Sequence, residues 1–279
     1  MFRLCLSFVR ILLSNKEEIV MSNNNNEKYR NPALRRKYII RFIGRCVVLL
    51  ISVLLFIFRK DQFEVLDGWN FFKKFSIFHL LWAVWIVDMV FQVIPARKII
   101  PIGSQKHLRA HFIRAKEKIN KDALKSYIVS TTKSAYRVML LWIALLAVIS
   151  SMYYAGVLSK SHLLMISILF YVFDLICVLI WCPFRLMMGN KCCTTCRIFN
   201  WDHFMMFSPI VFMGGFFSLS LFAFAVAVLI VWEVCVFLYP ERFWEKSNMA
   251  LKCSECTDKL CTQYCQRLRK KSADTPTEQ

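Results

Sequence analysis

Seven of the twelve cysteines fall in two short stretches, "NKCCTTCRIFNWDH" at 190–203 and "KCSECTDKLCTQYC" at 252–265. Within them, Cys193-x2-Cys196 and Cys253-x2-Cys256 each have the spacing at which two thiolates from one turn grip a single ion. Together the four side chains would make a tetrahedral zinc site, provided the two stretches meet. Cys192 and His203 are spare ligands beside the first pair. Cys261 and Cys265 extend the second, giving four thiols in 13 residues. That density also suits an iron–sulfur cluster, although its spacing follows neither ferredoxin pattern. In a reducing compartment such cysteines point to metal or redox chemistry rather than to disulfides. Cys5, Cys46, Cys177 and Cys235 stand alone in apolar surroundings and read as small packing residues.

A second set of candidates is acidic. Asp88, Asp174 and Glu233 are lone carboxylates near the ends of apolar runs, in "DMVFQVIPAR", "DLICVLIWCPFR" and "EVCVFLYPER". Each is followed by a Pro, with an Arg two residues beyond it. Carboxylates in lipid are costly, so they mark proton or cation relays or else ion pairs that fix helix packing. The shared pattern reads as a weak internal repeat and expects the three acids at one depth, in one leaflet.

The elements that must position these residues follow from composition. The chain of 279 residues is 57% hydrophobic, with only 7 Gly and 7 Pro. A soluble domain of this size is about 45–50% apolar. The surplus fits lipid, and unbroken apolar runs without period-2 alternation predict helices rather than a membrane barrel. The expectation is an all-α, polytopic helical membrane protein. Four spans are clear, at 42–58, 75–94, 138–158 and 162–182. Arg45, at the start of the first, is expected to snorkel to the headgroups. A fifth run at 204–239 has 36 residues with Glu233 as its only charge. It is too long for one helix in a core about 30 Å thick and too short for two full spans. Either it doubles back, with a short incoming segment at 204–216 broken near "MGG" or Ser218, or an interfacial helix precedes one ordinary span.

Charge orients the chain. The net charge is +19, and Lys and Arg concentrate in 1–45, 95–137 and after Tyr239. The positive-inside rule puts the N-terminus and the 95–137 loop in the cytoplasm. A doubled-back last run gives 32 basic residues inside against 5 outside, and a single crossing gives 24 against 13. The charge count therefore expects a multi-pass protein of the cell membrane with both ends cytoplasmic. The organisation expected is a disordered or interfacial N-terminus at 1–36 and a first membrane hairpin at 37–95. A basic amphipathic loop follows at 96–137, then a second hairpin at 138–183 and a cysteine-rich loop at 184–203. The long apolar segment at 204–239 leads into a cysteine-rich basic tail at 240–279. The stretch "RLCLSFVRILL" lacks a cleavage pattern and is not read as a signal peptide. Either Met1 or Met21 serves as a start. In the basic loop, Leu108, Phe112, Ala115 and Ile119 have helical spacing, which predicts a surface helix on anionic lipid headgroups. Nucleic acid is not an expected partner, since no recognition motif accompanies the charge.

The stretches "NKCCTTCRIFNWDHFMMFSP" and "PERFWEKSNMALKCSECTDKLC" resemble a family of bacterial integral membrane proteins. That family pairs a CC-x-x-CR-x-[FY]-NWD loop with a C-terminal C-x-x-C motif ending in Leu-Cys. The resemblance covers about 75 residues and implies a real motif, with no activity attached to it. No phosphate-binding loop, HExxH pair, GxSxG elbow or GxGxxG fingerprint occurs, so no catalytic residue is assigned. Three function classes remain: a binding, scaffold or accessory protein closed by zinc, a redox protein, and a transporter using the buried acids.

Overall fold

A computed structural model describes residues 32–94, 106–108, 112–115, 119–189 and 196–252. The described chain is helical, with no strand beyond one isolated bridge between Arg114 and Asn248. The helices are α1 (Pro32–Phe58), α2 (Phe78–Val93), α3 (Lys121–Tyr154), α4 (Lys160–Leu179), α5 (Pro183–Met188), α6 (Asp202–Phe207) and α7 (Gly215–Leu238). Short 3-10 turns join them. Four helices are long and apolar enough to cross a membrane: α3, α4, α7 and the stretch Arg36–Phe58 of α1. Helix α2 has 16 residues and spans about 24 Å. The class expected from composition, a polytopic helical membrane protein, is the class observed.

Exposure separates a lipid face from a core. Helix α1 presents Ile40, Ile43, Leu50, Leu54 and Ile57 outward and packs along α4. Trp85, Met89, Phe207, Ile210, Leu221 and Trp232 form the centre, drawn from α2, α6, α7 and the 3-10 turn Pro209–Met213. Aromatic edges meet there, as Trp85 does Phe207 with centroids 4.9 Å apart.

The 204–239 run doubles back. Helix α6 and the turn Pro209–Met213 form a short arm. At its start, Asp202 accepts a hydrogen bond from Gln92 Nε2 at 3.0 Å, near the end of α2. At its far end, Phe216 N donates to Gly68 O at 3.1 Å, in the loop before α2 begins. The arm therefore runs antiparallel to α2 over a similar depth, and α7 returns. Two consecutive glycines make the reversal, Gly214 at φ +64° and Gly215 at φ +83°. At Gly215 a Cβ would lie 3.0 Å from the backbone N and O of Gly68, so no larger residue fits without displacing that loop. Phe71, Phe72 and Trp69 then close around Phe216.

Two boundaries differ from the sequence reading. Helix α3 starts at Lys121, where the Asn120 side chain accepts from the N–H groups of Asp122 and Ala123. Its 34 residues absorb the end of the basic loop. The surface helix expected through Leu108, Phe112, Ala115 and Ile119 is not formed at residues 112–115. There the backbone pairs with the segment after α7: Ala115 N with Ser247 O at 3.0 Å, and Met249 N with Ile113 O at 2.8 Å. Leu108 turns into the core. Backbone bonding to a neighbouring segment has outcompeted helical periodicity.

Candidate functional site

The acids flagged in the sequence divide into two sites. Asp88 on α2 and Asp174 on α4 are joined by Arg45, which lies inside α1 rather than at the headgroups. Its side chain is 11% exposed. Nη1 donates to Asp174 Oδ2 and to the Tyr171 carbonyl, both at 2.6 Å, and Nη2 lies 3.6 Å from Asp88 Oδ2. The guanidinium also covers the Tyr171 ring, 3.9 Å from its centroid. Helix α1 begins at Pro32, so Arg45 lies in its interior rather than its first turn, and its guanidinium pairs with acids of the neighbouring helices.

Asp88 extends the network to α6. His203 Nε2 is 3.6 Å from Asp88 Oδ2, and its Nδ1 is 2.9 Å from Asp202 Oδ1. Both ring nitrogens thus face carboxylates, and this spare zinc ligand is engaged elsewhere. Asp202 Oδ1 also accepts from His203 N at 2.6 Å and from Gln92. Asp174 lies within electrostatic reach of Asp202 and His203. The result is one buried cluster of three carboxylates, one guanidinium and one imidazole. Arg41 of α1 is also within electrostatic reach of Asp88 and adds a second guanidinium charge to the site.

Glu233 belongs to a separate pair on α7. Arg197 embraces it through Nε and Nη2, and Trp201 Nε1 donates to Oε1 at 2.8 Å. Arg197 also bonds Thr132 on α3. The residues after Cys196 in "CRIFNWD" thereby acquire roles: Arg197 and Trp201 hold Glu233, and Asp202 joins the Arg45 cluster. Asn200 is 2% exposed, and neither side-chain polar atom finds a partner among the described residues. Two Pro residues of the weak repeat start new turns, Pro183 opening α5 and Pro240 the 3-10 segment Pro240–Phe243, and Pro95 lies outside the described residues.

A cavity of about 270 Å³ lies against the first cluster, between α3, α4, α5 and α6. Its walls include Trp142, Phe170, Phe173, Trp181 and Phe184, with Asp174 and Asp202 as the charged groups. Cys177, Cys182 and Cys196 also border it. Arg45, Asp88 and His203 are not in the lining, so of the cluster only Asp174 and Asp202 border the cavity.

Of the four principal zinc ligands, Cys196 is described and is 2% exposed. Cys193, Cys253 and Cys256 lie outside the described residues, as do Cys192, Cys261 and Cys265. Among the described residues, no three His, Cys, Asp or Glu side chains stand as metal ligands. The Cys196 turn and the segment leading to the tail do converge on one helix. Tyr127 of α3 stacks on Trp244 with centroids 5.7 Å apart and is within electrostatic reach of Cys196 and Glu245.

At the same end, His107 stacks on Phe243 at 4.6 Å, and its Nδ1 meets Arg242 O at 3.3 Å. Burial pushes its pKa down to about 4, and neighbouring Lys106 adds to that, so the ring is neutral. Asn248 bonds the carbonyls of Lys106 and Arg242 at 3.1 and 2.9 Å.

The fold and its charged interior define a multi-pass helical membrane protein with an ionic cluster in its core. Comparison with family models, curated proteins and solved structures finds no match for the chain.

Proposed function

We propose that this protein binds a cation or proton inside the bilayer at the Arg45–Asp88–Asp174–Asp202–His203 cluster and passes it between the two faces, as a transporter does. The observation that carries the reading is a pair of carboxylates, Asp174 and Asp202, that belong to a buried ionic cluster and also border open space. A carboxylate that borders open space inside lipid is a site for a mobile positive partner. Binding to the folded state alone raises thermal stability in proportion to the logarithm of ligand excess. In lipid nanodiscs, the melting temperature should rise with at least one of sodium, potassium or small organic ammonium ions. Asp202→Asn, which keeps an acceptor at Oδ1, should remove that rise. No response to any of them would overturn the reading.

A second reading concerns the inner end of the bundle. We propose that Cys193, Cys196, Cys253 and Cys256 hold zinc and tie the loop to the tail, giving that face a binding or scaffold role. The convergence of Cys196 and Trp244 on Tyr127 favours it. Zinc-free protein would sink this reading, and a coloured preparation would replace it with an iron–sulfur cluster. This end is assigned to the cytoplasm on the charge count, which reporter fusions after Gln279 and near Ser159 would test by giving opposite compartments. Lys121 and Lys125 rim an apolar groove beside Phe237 and Val236, a fit for anionic lipid headgroups. Retention of anionic over zwitterionic lipid in native mass spectra, reduced in a Lys121→Gln, Lys125→Gln variant, would bear this out; equal retention would refute it.

A further inference from the structure

We propose that the cavity beside Asp174 and Asp202 takes a small hydrophobic organic cation, an ammonium bearing an aromatic or branched apolar body, which enters from the lipid. The inference rests on the cation-binding reading above and names its substrate class.

The carboxylates supply the first argument. All three hydrogen bonds to Asp202 converge on Oδ1, and the bonds to Asp174 use Oδ2. Asp202 Oδ2 and Asp174 Oδ1 accept none among the described residues. Neither oxygen is among the fully buried unpartnered atoms. Both therefore border open space, and the space both residues line is the cavity. An uncovered carboxylate oxygen in a water-poor site gains most from a positive partner.

The walls supply the second. Trp142, Phe170, Phe173, Trp181 and Phe184 surround the acids, and no Lys, Arg or His among the described residues lines the cavity. Ring faces attract a cation and also bury an apolar body, so one lining serves both halves of an amphiphilic ion. A hydrated inorganic ion gains little from such walls. At about 270 Å³ the space is at the lower end for small-molecule pockets, which favours a one-ring ligand.

The third argument is access. Phe173 is 45% and Trp181 48% exposed on the lipid-facing side of the bundle. The cavity mouth is thus flanked by side chains that contact acyl chains. A hydrophobic cation concentrates in a bilayer, especially near anionic headgroups, and would reach the acids laterally.

The test uses the full chain in nanodiscs with benzyltrimethylammonium as probe and its neutral carbon isostere, neopentylbenzene, as control. Calorimetric titration should give saturable binding of the cation at least tenfold tighter than the isostere. Asp202→Asn should weaken the cation at least tenfold and leave the isostere unchanged. Phe173→Leu should weaken both. The cation-to-isostere comparison needs only the unmodified protein, so a poorly folding variant does not void it. Equal binding of the two probes would make the cavity an apolar pocket and overturn the inference. Absence of benzyltrimethylammonium binding would overturn it as well. In that event, thermal stabilisation by sodium or potassium would leave the broader cation reading standing, and its absence would remove both.

Discussion

Arg45 is the residue whose loss has the most legible consequence. Replacing it with Met keeps the length and apolar stem but strips the shared cation from Asp88 and Asp174. Of the acids' cationic neighbours, His203 and the more distant Arg41 then remain. Breaking one partner out of a buried ion pair costs about 3–5 kcal/mol, because the remaining charge stays desolvated. The Asp174 side chain is 17% exposed, so water can relieve little of this. The 2.6 Å bond to the Tyr171 carbonyl, a second bond on that helical acceptor, is also lost. Arg45→Met alone should therefore destabilise by about 3–5 kcal/mol in reversible unfolding from mixed micelles. Adding Asp174→Asn should return part of that loss, with a coupling energy of about 2 kcal/mol in the double-mutant cycle. Arg45→Lys should fall between, since an ammonium keeps the charge but cannot fork between two acids and a carbonyl. If the two changes add within about 0.5 kcal/mol, the pair carries no net interaction and the cluster is mis-drawn.

Gly215→Ala should cost about 1–3 kcal/mol in thermal unfolding, since it combines positive φ with a Cβ against the Gly68 backbone. Gly214→Ala shares the positive φ but meets open space and should cost less; equal costs would contradict the close approach. His107 should make stability fall with acid. Its folded pKa of about 4 lies below the unfolded value of about 6.5, so its contribution is complete above pH 6.5. That contribution drains as pH drops from 6.5 toward 4, by about 3 kcal/mol, and His107→Gln should flatten this window. A pH profile unchanged by that substitution would refute the buried neutral ring. Cys196→Ser and Cys256→Ser should each release zinc and open the tail to protease together; full metal content in either variant would remove that cysteine from the site.

Some features of this structure follow from local physics and others do not. Helix content and the apolar spans were legible because each depends on a contiguous window of residues. The break at "MGG" was legible too, since consecutive glycines weaken a helix wherever they stand. Asp88 and Asp174 stood out as charges in apolar runs, but their partner did not. Arg45 is more than 120 residues from Asp174 and sits at the start of an apolar run, where snorkelling is the cheaper guess. Its pairing arises from the packing of α1 along α4, which no contiguous window of sequence displays. Asp202 was hidden differently: it ends a polar loop, and its role arises from the arm that threads back beside α2. The weak repeat grouped Glu233 with the other acids, whereas Arg197 claims it for a separate pair. At residues 112–115 the surface helix expected from periodicity gives way to a backbone partner at Ser247–Met249, which periodicity cannot see.

We propose that the Arg45 cluster moves a cation through the bilayer, and flux is the direct readout of that movement. Proteoliposomes carrying the purified chain should collapse a preformed pH or cation gradient when sodium, potassium or benzyltrimethylammonium is added on one side. Liposomes with Asp202→Asn protein of equal thermal stability should hold the gradient as empty liposomes do. Wild-type vesicles that hold every gradient, or an Asp202→Asn variant that dissipates it as fast as wild type, would contradict the account.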